Sequence, residues 1–494
     1  EYERAEQGGI QITLIAGEPG IGKSRLVSEF MTRLEAAGAA VLFGRCDQDG
    51  LIPYQPIAEA LRDHFSAEGG DAARVDLGPE WLELRRLLPG HGQHPAVSGS
   101  SAVSPSSQRY RLFESVVTLF LMTSRERPVV LVLEDLHWAD APLTALVRHL
   151  VRSRRLQRVQ IVATYRESDI DEDHPLHDLL AEVGHGDTFT TITLGGLGTE
   201  ELGELFDSVV AGNLSIERDE YLSQVFERTD GNPYFVLEMF RHLGDSGPGS
   251  QPDPGVPGGV RELVAARMKT LPPAIREALS VAAVIGHHFN FTVLQRALGV
   301  SGAELLDLLA VAARAGHIVE TRTAPDSEFR FTHIISRDAV YETLPPGERA
   351  AIHHRVGAVL EKLGPGRTAH LPELLAYHFE RSAHPGDIER TIKYARIAGE
   401  RALTALAFED AVTFFESALR AQEHSTTATT LERCELMLCL GRALSGVEGR
   451  VAGTDREHAL STFAAAAVLA RELDAPKLMV EAALGGGGHW LESA

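Results

Sequence analysis

Cysteine is scarce in this chain. Only Cys46, Cys434 and Cys439 occur among 494 residues, which excludes a disulfide-stapled fold and leaves no spacing typical of a cysteine metal site. Free thiols are typical of a reducing compartment, so we expect a cytoplasmic protein. The sequence also lacks a signal peptide and any apolar run long enough to cross a bilayer, and we expect no membrane contact.

Cations are in the minority too. The chain has 47 lysines and arginines against 69 aspartates and glutamates, a formal net charge of −22, and so acidic a protein repels nucleic acid unless a local patch is basic. The best patch is the arginine cluster at 152–158, which is more typical of a solvated helix end favoured by the helix dipole. We therefore expect DNA contact only through a domain outside this chain.

What the chain does contain is a complete phosphate loop, G-E-P-G-I-G-K-S, at residues 17–24. It follows an apolar run at 10–16 and precedes a helical pattern, which is the strand–loop–helix setting that the motif requires. Glycines let backbone N–H groups face an anion, the lysine reaches the β- and γ-phosphates, and the serine hydroxyl binds Mg²⁺. The motif predicts a nucleoside triphosphate site with these candidate binding residues: Gly17, Gly20, Gly22, Lys23, Ser24 and Arg25.

Two later apolar runs each end in charged residues. The run at 129–133 is typical of a strand buried on both faces of a parallel sheet, and Glu134 and Asp135 follow it. Carboxylates at that end of a strand can hold the Mg²⁺ shell and orient water, and the alternative is a cap on the next helix. Arg166 follows the strand predicted at 159–163, where it either senses a γ-phosphate or is an ordinary surface arginine.

The order of the predicted elements indicates a multidomain protein, α/β followed by all-α. Strands alternating with helices over 1–195 predict the parallel sheet of a P-loop NTPase, and a small helical domain follows at 196–243. Residues 244–259 have the composition of a linker. Three helices and a hairpin over 260–345 predict a winged helix, which is either a DNA-binding or a packing module; the absence of a basic recognition helix favours packing. Helical repeats are predicted over 346–494.

Small and large residues recur at a constant offset in this last region. The same three residue types recur with the same spacing in two places: Ala411, Phe415 and Ala418, and then Ala459, Phe463 and Ala466. This pattern is typical of stacked helical hairpins similar to tetratricopeptide repeats, although somewhat longer, and a plain helical bundle is the alternative. We expect an inducer or a partner protein to bind this region.

Together these motifs resemble the signal-transduction ATPases with numerous domains (STAND), a branch of the AAA+-like NTPases. The resemblance is carried by GEPGIGKSRL at 17–26, LVLEDLHWAD at 131–140, ATYRESD at 163–169, DGNPYF at 230–235 and FRFTHIISRDAVYETL at 329–344. By pattern the chain is similar to the large bacterial LuxR-type ATP-binding regulators, including the maltose regulator group, and to regulators with an antibiotic-regulatory (SARP-type) DNA-binding head. A similar block also occurs behind class III adenylate cyclase domains.

The resemblance implies a ligand and a set of catalytic roles. The ligand is ATP or ADP with Mg²⁺, and Ser24 and Glu134 match the metal-binding pair. Asp135 matches the acid that activates water. Arg166 matches the sensor arginine, which in this superfamily lies on the strand beside the phosphate-loop strand.

Two residues of later segments complete the site that the resemblance implies. Pro233 matches a turn that packs on the base and ribose, and His333 matches the winged-helix histidine that contacts the β-phosphate of ADP. For His137 and Trp138, packing below the site and a direct role remain equally open.

These observations predict an ATP/ADP-dependent switch with weak ATPase activity. ADP holds the domains closed through His333, and exchange for ATP, helped by an inducer, frees surfaces for self-association. Two other functions remain open: an actively hydrolysing remodelling ATPase, and a scaffold with a degenerate nucleotide site. The whole protein is expected to be a transcriptional regulator or an adenylate cyclase-type signalling protein.

Overall fold

The fold is known from a computed structural model. It describes residues 8–48, 52–67, 77–88, 105–170, 174–183, 188–209, 218–245, 271–322, 327–364, 370–447 and 454–485, with a few single residues between them. Most of the predicted linker, 246–259, lies outside the described residues. No helix within these ranges combines the length and apolarity needed to span a membrane.

Five parallel strands form one sheet in the order β2-β3-β4-β1-β5. Their bounds are β1 Ile10–Ala16, β2 Ala40–Arg45, β3 Val129–Glu134, β4 Val159–Tyr165 and β5 Phe189–Thr193. Every residue of β1, β3 and β4 is buried, as expected for strands covered on both faces. The predicted parallel sheet is therefore confirmed, and its order places the carboxyl ends of β3, β4 and β1 side by side.

Helices cover both faces of this sheet. Their bounds are α1 Lys23–Ala36, α2 Gln55–Ala67, α3 Glu80–Leu84, α4 Pro105–Glu126, α5 Ala141–Arg152 and α6 Pro175–Val183. Val27 and Leu34 of α1 belong to one buried cluster with Val130 and Val132 of β3. The alternate strand residue Leu131 belongs to the larger core on the other face, together with residues of α2, α4 and α5. This alternation explains why the strand sequences are apolar at every position.

The next segment is helical, as predicted, and has a core of its own. It contains α7 Thr199–Val209, α8 Arg218–Thr229 and α9 Pro233–Asp245. Phe206, Tyr221 and Phe240 pack together, with ring centroids 5.1 to 6.4 Å apart, and Leu202 and Val225 complete the cluster. The segment thus has a hydrophobic core separate from that of the first domain.

Three helices and a three-stranded antiparallel sheet follow. The helices are α10 Pro273–Ile285, α11 Phe291–Leu298 and α12 Gly302–Arg314, and the strands are β6 His288–Asn290, β7 Ile318–Arg322 and β8 Glu328–Phe331. The predicted hairpin is present as β7 and β8, but the sheet order is β6-β8-β7. The sequence did not predict β6, because three residues between two helices are too few to show an alternating pattern. Helix α13, Ile334–Thr343, follows β8 directly.

The remaining described chain folds into antiparallel helical hairpins. The helices are α14 Pro346–Leu363, α15 Leu371–Glu380, α16 Ile388–Thr404, α17 Phe408–Gln422, α18 Thr430–Leu444, α19 Thr454–Glu472 and α20 Pro476–Gly485. Phe415 of α17 and Phe463 of α19 are buried as expected, together with the four alanines of the predicted pattern.

Each of the first three hairpins has a glycine packed against a phenylalanine ring. The pairs are Gly357 with Phe379, Gly399 with Phe415, and Gly441 with Phe463, and a Cβ atom on any of these glycines would lie 2.7 to 2.8 Å from the ring. The evenly spaced glycines are thus the partners of the predicted aromatic positions. They also reveal one more hairpin, α14 with α15, than the sequence pattern predicted.

The hairpins pack against the first domain. Arg109 of α4 donates a hydrogen bond to Glu409 of α17 over 3.0 Å, and the Tyr54 hydroxyl donates to the Leu406 carbonyl over 3.4 Å. Tyr54 and Arg109 are both buried. The repeat region and the nucleotide-binding sheet therefore share one continuous core.

Candidate nucleotide site

The phosphate loop connects β1 to the first turn of α1. Gly20 and Gly22 have φ angles of 81° and 106°, which residues with a side chain rarely adopt. At Gly20 space is also restricted, because a Cβ atom there would lie 2.7 Å from Cβ of Tyr234. These glycines are required by geometry, as the motif predicts. Arg25, by contrast, is exposed in the first turn of α1, and its binding role stays a prediction.

Lys23 lies inside the loop. Its Nζ donates hydrogen bonds to the carbonyl oxygens of Gly17 and Glu18, over 2.6 and 3.1 Å. Burial, and then repulsion by the Arg166 guanidinium, lower the pKa of Lys23 to about 8. A phosphate group placed here would be stabilised by both cations, so the site favours an anion.

The two candidate metal-binding residues meet above the sheet. Burial raises the pKa of Glu134, while the charge of Arg45 and the nearby Ser24 hydroxyl oppose that rise. A hydroxyl and a carboxylate are the oxygen donors that Mg²⁺ prefers, and this pair fits the ion. Glu134 and Ser24 would hold the metal, which supplies positive charge to the β- and γ-phosphates when it is bound.

Asp135 is fixed in position by two neighbouring strands. Its backbone N–H donates to Oγ1 of Thr164 in β4, over 2.9 Å. Its Oδ2 accepts hydrogen bonds from Nη2 and Nε of Arg45, over 2.9 and 3.2 Å, and Arg45 also lies 3.9 Å from Glu134. The residue has a left-handed backbone, with φ of 57°. This conformation turns the chain at the end of β3 and places the Asp135 carboxylate at the edge of the sheet that carries the phosphate loop.

Arg45 and Thr164 were not predicted as site residues. Arg45 is the last residue of β2, which pairs with β3, and it lies opposite Glu134 in the register. The available signal was a charged residue ending an apolar strand, but strand order could not be derived from the sequence. Neighbouring carboxyl ends share one edge of a parallel sheet, so the pairing explains why Arg45 reaches the acids.

The structure also brings Arg166 to this edge, at the end of β4 beside β1. It forms an ion pair with Asp169 over 3.2 Å, and its guanidinium lies 5.0 Å from the ring centroid of Trp138. Its field reaches Lys23. Asp169 and Trp138 therefore hold Arg166 next to the phosphate loop, and its role as a γ-phosphate sensor stays a prediction.

His137 and Trp138 occupy a short helical turn after Asp135. Trp138 supports Arg166, as described above. His137 is buried, and burial followed by the nearby Arg166 charge lowers its pKa to about 4. It is therefore neutral near pH 7, and its ring packs on Trp138 with centroids 4.5 Å apart. This arrangement favours packing below the site.

The small helical segment contacts the loop through residues that flank Pro233. Pro233 begins α9. Asn232 donates from Nδ2 to the carbonyl of Pro19, over 2.9 Å, and Tyr234 packs against Gly20. Asn232 and Tyr234 were not predicted as site residues, although both belong to the DGNPYF motif. The base-packing role of Pro233 stays a prediction.

Tyr234 also connects the loop to the segment around α13. Its ring lies 4.0 Å from the ring of His333, measured between centroids, and its hydroxyl shares a 2.9 Å hydrogen bond with Ser336. His333 immediately precedes α13 but makes no side-chain capping hydrogen bond to that helix. The structure thus brings His333 to the residue that touches the phosphate loop, which leaves its contact with a β-phosphate as a prediction.

Comparison with known proteins agrees with this geometry in the first domain. Residues 1–162 match the family described as AAA ATPase domain. This range contains the phosphate loop and both acids after β3, so the chain includes an AAA ATPase domain, and nucleotide binding follows from it.

More extensive similarity is distant. An uncharacterised protein of Rhizobium meliloti (strain 1021) is 24% identical over 481 residues, which cover 90% of this chain and 44% of that protein. The chain thus spans less than half of this relative. Among solved structures, a STAND protein with a tetratricopeptide repeat sensor from Pyrococcus horikoshii shows 13% identity and a TM-score of 0.49, covering 96% of this chain and 64% of its own. A Walker-type ATPase of Pyrococcus abyssi shows 15% identity and a TM-score of 0.28, over 68% of this chain and 93% of its own.

Proposed function

We propose that the AAA ATPase domain at residues 1–162 binds the nucleotide that controls an ATP/ADP-dependent switch of the STAND class. The observation that carries the proposal is the position of Tyr234. It packs on Gly20 of the phosphate loop and on His333, and it is hydrogen-bonded to Ser336. A nucleotide that moves the loop would therefore also shift α9, which carries Tyr234, and the first turn of α13, which Tyr234 contacts.

In the closed state, ADP is held between the first domain and the segment from α10 to α13, which we interpret as a winged helix used for packing. His333 donates to the β-phosphate in this state. Exchange for ATP breaks the arrangement and frees surfaces for self-association. The helical hairpins after α13 bind the inducer or partner. The buried contact between Glu409 and Arg109 of α4 connects these hairpins to the nucleotide domain, so binding there can change its conformation.

The free energy needed to operate the switch is larger than one contact can supply. Shifting a two-state population from 1:99 to 99:1 takes about 5.5 kcal/mol of differential binding. A charge-assisted hydrogen bond from His333 supplies about 1.5–3 kcal/mol. The γ-phosphate contact of Arg166 and the inducer must supply the remainder, so we assign them roles in the same switch.

Hydrolysis serves to reset this switch. Asp135 is the residue that orients water, but both Arg45 hydrogen bonds occupy its Oδ2. While Arg45 stays in place, water activation has to use the other oxygen, Oδ1, and we propose that this restriction keeps turnover slow until the domains rearrange. The complete set of Ser24, Glu134 and Asp135 is the observation that favours the second candidate, a remodelling ATPase. Rapid steady turnover that is indifferent to any inducer would support that candidate.

The activity that the switch controls depends on the other domains of the full-length protein. We propose that the switch controls a bacterial transcriptional regulator whose DNA-binding module lies outside this chain, and the alternative output is an adenylate cyclase domain. The residues flanking this segment in the full-length gene distinguish the two directly.

The experiment that tests the switch is the rate of ADP release from the His333→Ala variant. Loss of one charge-assisted hydrogen bond of about 1.5–3 kcal/mol should speed release roughly 10- to 150-fold. Because the variant also loses the ring that packs on Tyr234, its thermal unfolding midpoint is measured beside that of the parent. Release is measured by stopped-flow fluorescence with a fluorescent ADP analogue.

Two further variants control this measurement. His333→Gln keeps a hydrogen-bond donor and should release ADP at an intermediate rate, while His424→Ala removes an exposed histidine in the repeat region and should match the parent. Equal release rates for His333→Ala and the parent would contradict the proposed clamp.

A further inference from the structure

Two imidazoles and one buried carboxylate meet where the first helical hairpin joins the second. His354 lies on α14, while His384 and Asp387 lie in the turn between α15 and α16. One possible ligand atom from each residue lies within 4.8 Å of those of the other two. These three residues are called the His-His-Asp cluster below.

Asp387 supplies a fixed anion. Its side chain is 1% exposed, its Oδ1 accepts from Nη1 of Arg390 over 2.8 Å, and its Oδ2 lies 2.6 Å from Nδ1 of His354. Burial alone would raise the pKa of Asp387, but hydrogen bonds from His354, Ser382 and Arg390 outweigh it and hold this pKa below its usual range. The hydrogen bonds to Arg390 and His354 thus hold the carboxylate in one orientation, as the neighbours of a metal ligand do.

His384 is the ligand of the cluster whose side chain is free to rotate, because it is exposed. Its ring stacks on that of His354, with centroids 4.4 Å apart and planes inclined by 21°, and the backbone N–H of Gly386 donates to its Nδ1 over 3.1 Å. The residue is exposed. Rotation of this exposed side chain, together with a widening of the 2.6 Å separation between His354 and Asp387, would bring the three donor atoms to a tetrahedral site, in which each ligand lies about 2.0–2.2 Å from the metal.

The cluster borders a cavity of about 450 Å³ between the first two hairpins. His384 lines this cavity, and Ser417, Arg420 and His424 of the second hairpin and its loop line it as well. A metal held by His384 would thus lie beside a space that can admit a second ligand. Two imidazoles, one carboxylate and an open position match the ligand number of zinc sites that bind an exogenous group.

We propose that His354, His384 and Asp387 form a binding site for a divalent transition metal of the zinc class. The metal takes the place of the hydrogen bond between His354 and Asp387, with the ring proton of His354 then on Nε2, and links α14 to the start of α16. In this way it joins the first two hairpins of the region that binds the inducer. The site itself does not depend on the nucleotide switch, since it lies entirely within the helical hairpins.

The test is calorimetric titration of the chelator-treated full chain with Zn²⁺ alone. We expect one site, weakened at least about 10-fold by His384→Ala. Because this side chain also accepts a hydrogen bond from the Gly386 N–H, circular dichroism checks that the variant is folded. The matched control is His458→Ala, which removes an exposed histidine of α19 that does not line this cavity and should leave the affinity unchanged. The heat signal is separate from nucleotide binding, so a failed switch does not affect this result.

Co²⁺ provides a second readout of the same site. The parent should show the intense visible absorption of tetrahedral Co²⁺, and His384→Ala and Asp387→Asn should lose it. Absence of Zn²⁺ binding, or equal Zn²⁺ affinity and equal Co²⁺ spectra in the parent and His384→Ala, would overturn the proposal.

Discussion

Replacing Lys23 with alanine is expected to abolish binding of both ATP and ADP, with a loss of affinity of at least about 100-fold. The ammonium group lies inside the loop, 2.6 and 3.1 Å from two of its carbonyl oxygens, where it can turn to the phosphates. Losing two charge-assisted hydrogen bonds of about 1.5–3 kcal/mol each accounts for the effect. Isothermal titration calorimetry with each nucleotide measures it.

The fold should survive this substitution. Burial, followed by repulsion from Arg166, lowers the pKa of Lys23 to about 8, so the protein holds this cation at a cost and gains little stability from it. Arg33→Ala, an exposed change in the last turn of the same helix, is the matched control and should bind nucleotide normally. Unchanged ATP affinity in Lys23→Ala would show that the phosphates bind elsewhere.

Replacing Asp135 with asparagine should lower the rate of ATP hydrolysis at least about 100-fold while ATP affinity changes little. Asparagine keeps an oxygen that can accept from Arg45, and the backbone hydrogen bond to Thr164 is unaffected. The change therefore removes the charge that activates water and leaves the shape of the site. Single-turnover phosphate release measures the rate.

The neighbouring acid provides the matched comparison. Glu134→Gln should instead raise the Mg²⁺ concentration needed for half-maximal turnover, because we propose that Glu134 and Ser24 together hold the metal. A large loss of hydrolysis in Glu134→Gln at saturating Mg²⁺, together with near-normal hydrolysis in Asp135→Asn, would reverse the two assignments.

The sequence predicts the centre of the fold well because local signals are strong there. A phosphate loop between a β-branched run and a helix has few alternative structures, and the run at 129–133 is apolar at every position, as a doubly covered strand must be. The repeats were predicted from Phe415 and Phe463. The first hairpin was missed because its phenylalanine, Phe379, stands at a different offset, and only the glycine partners are evenly spaced.

The site depends more on tertiary structure. Lys23, Ser24, Glu134 and Asp135 lie at one edge of the sheet, because the carboxyl ends of its parallel strands all face that edge, with β4 between β1 and β3. Arg45 required knowledge that β2 pairs with β3.

Asn232 and Tyr234 lie more than two hundred residues after the loop that they contact. No local pattern specifies such a pairing, so the sequence could identify their motif but not the atoms that touch the loop. The contacts of Tyr234 with Gly20 and His333 come from the tertiary structure alone.

Hydrogen exchange of the parent, with and without ADP, tests the central claim most directly, because it measures which segments a bound nucleotide stabilises. We expect ADP to slow exchange in peptides covering 230–235 and 329–344 as well as in the phosphate loop. Slower exchange restricted to residues 1–195 would show that the later segments do not sense the nucleotide, and it would contradict the proposed switch.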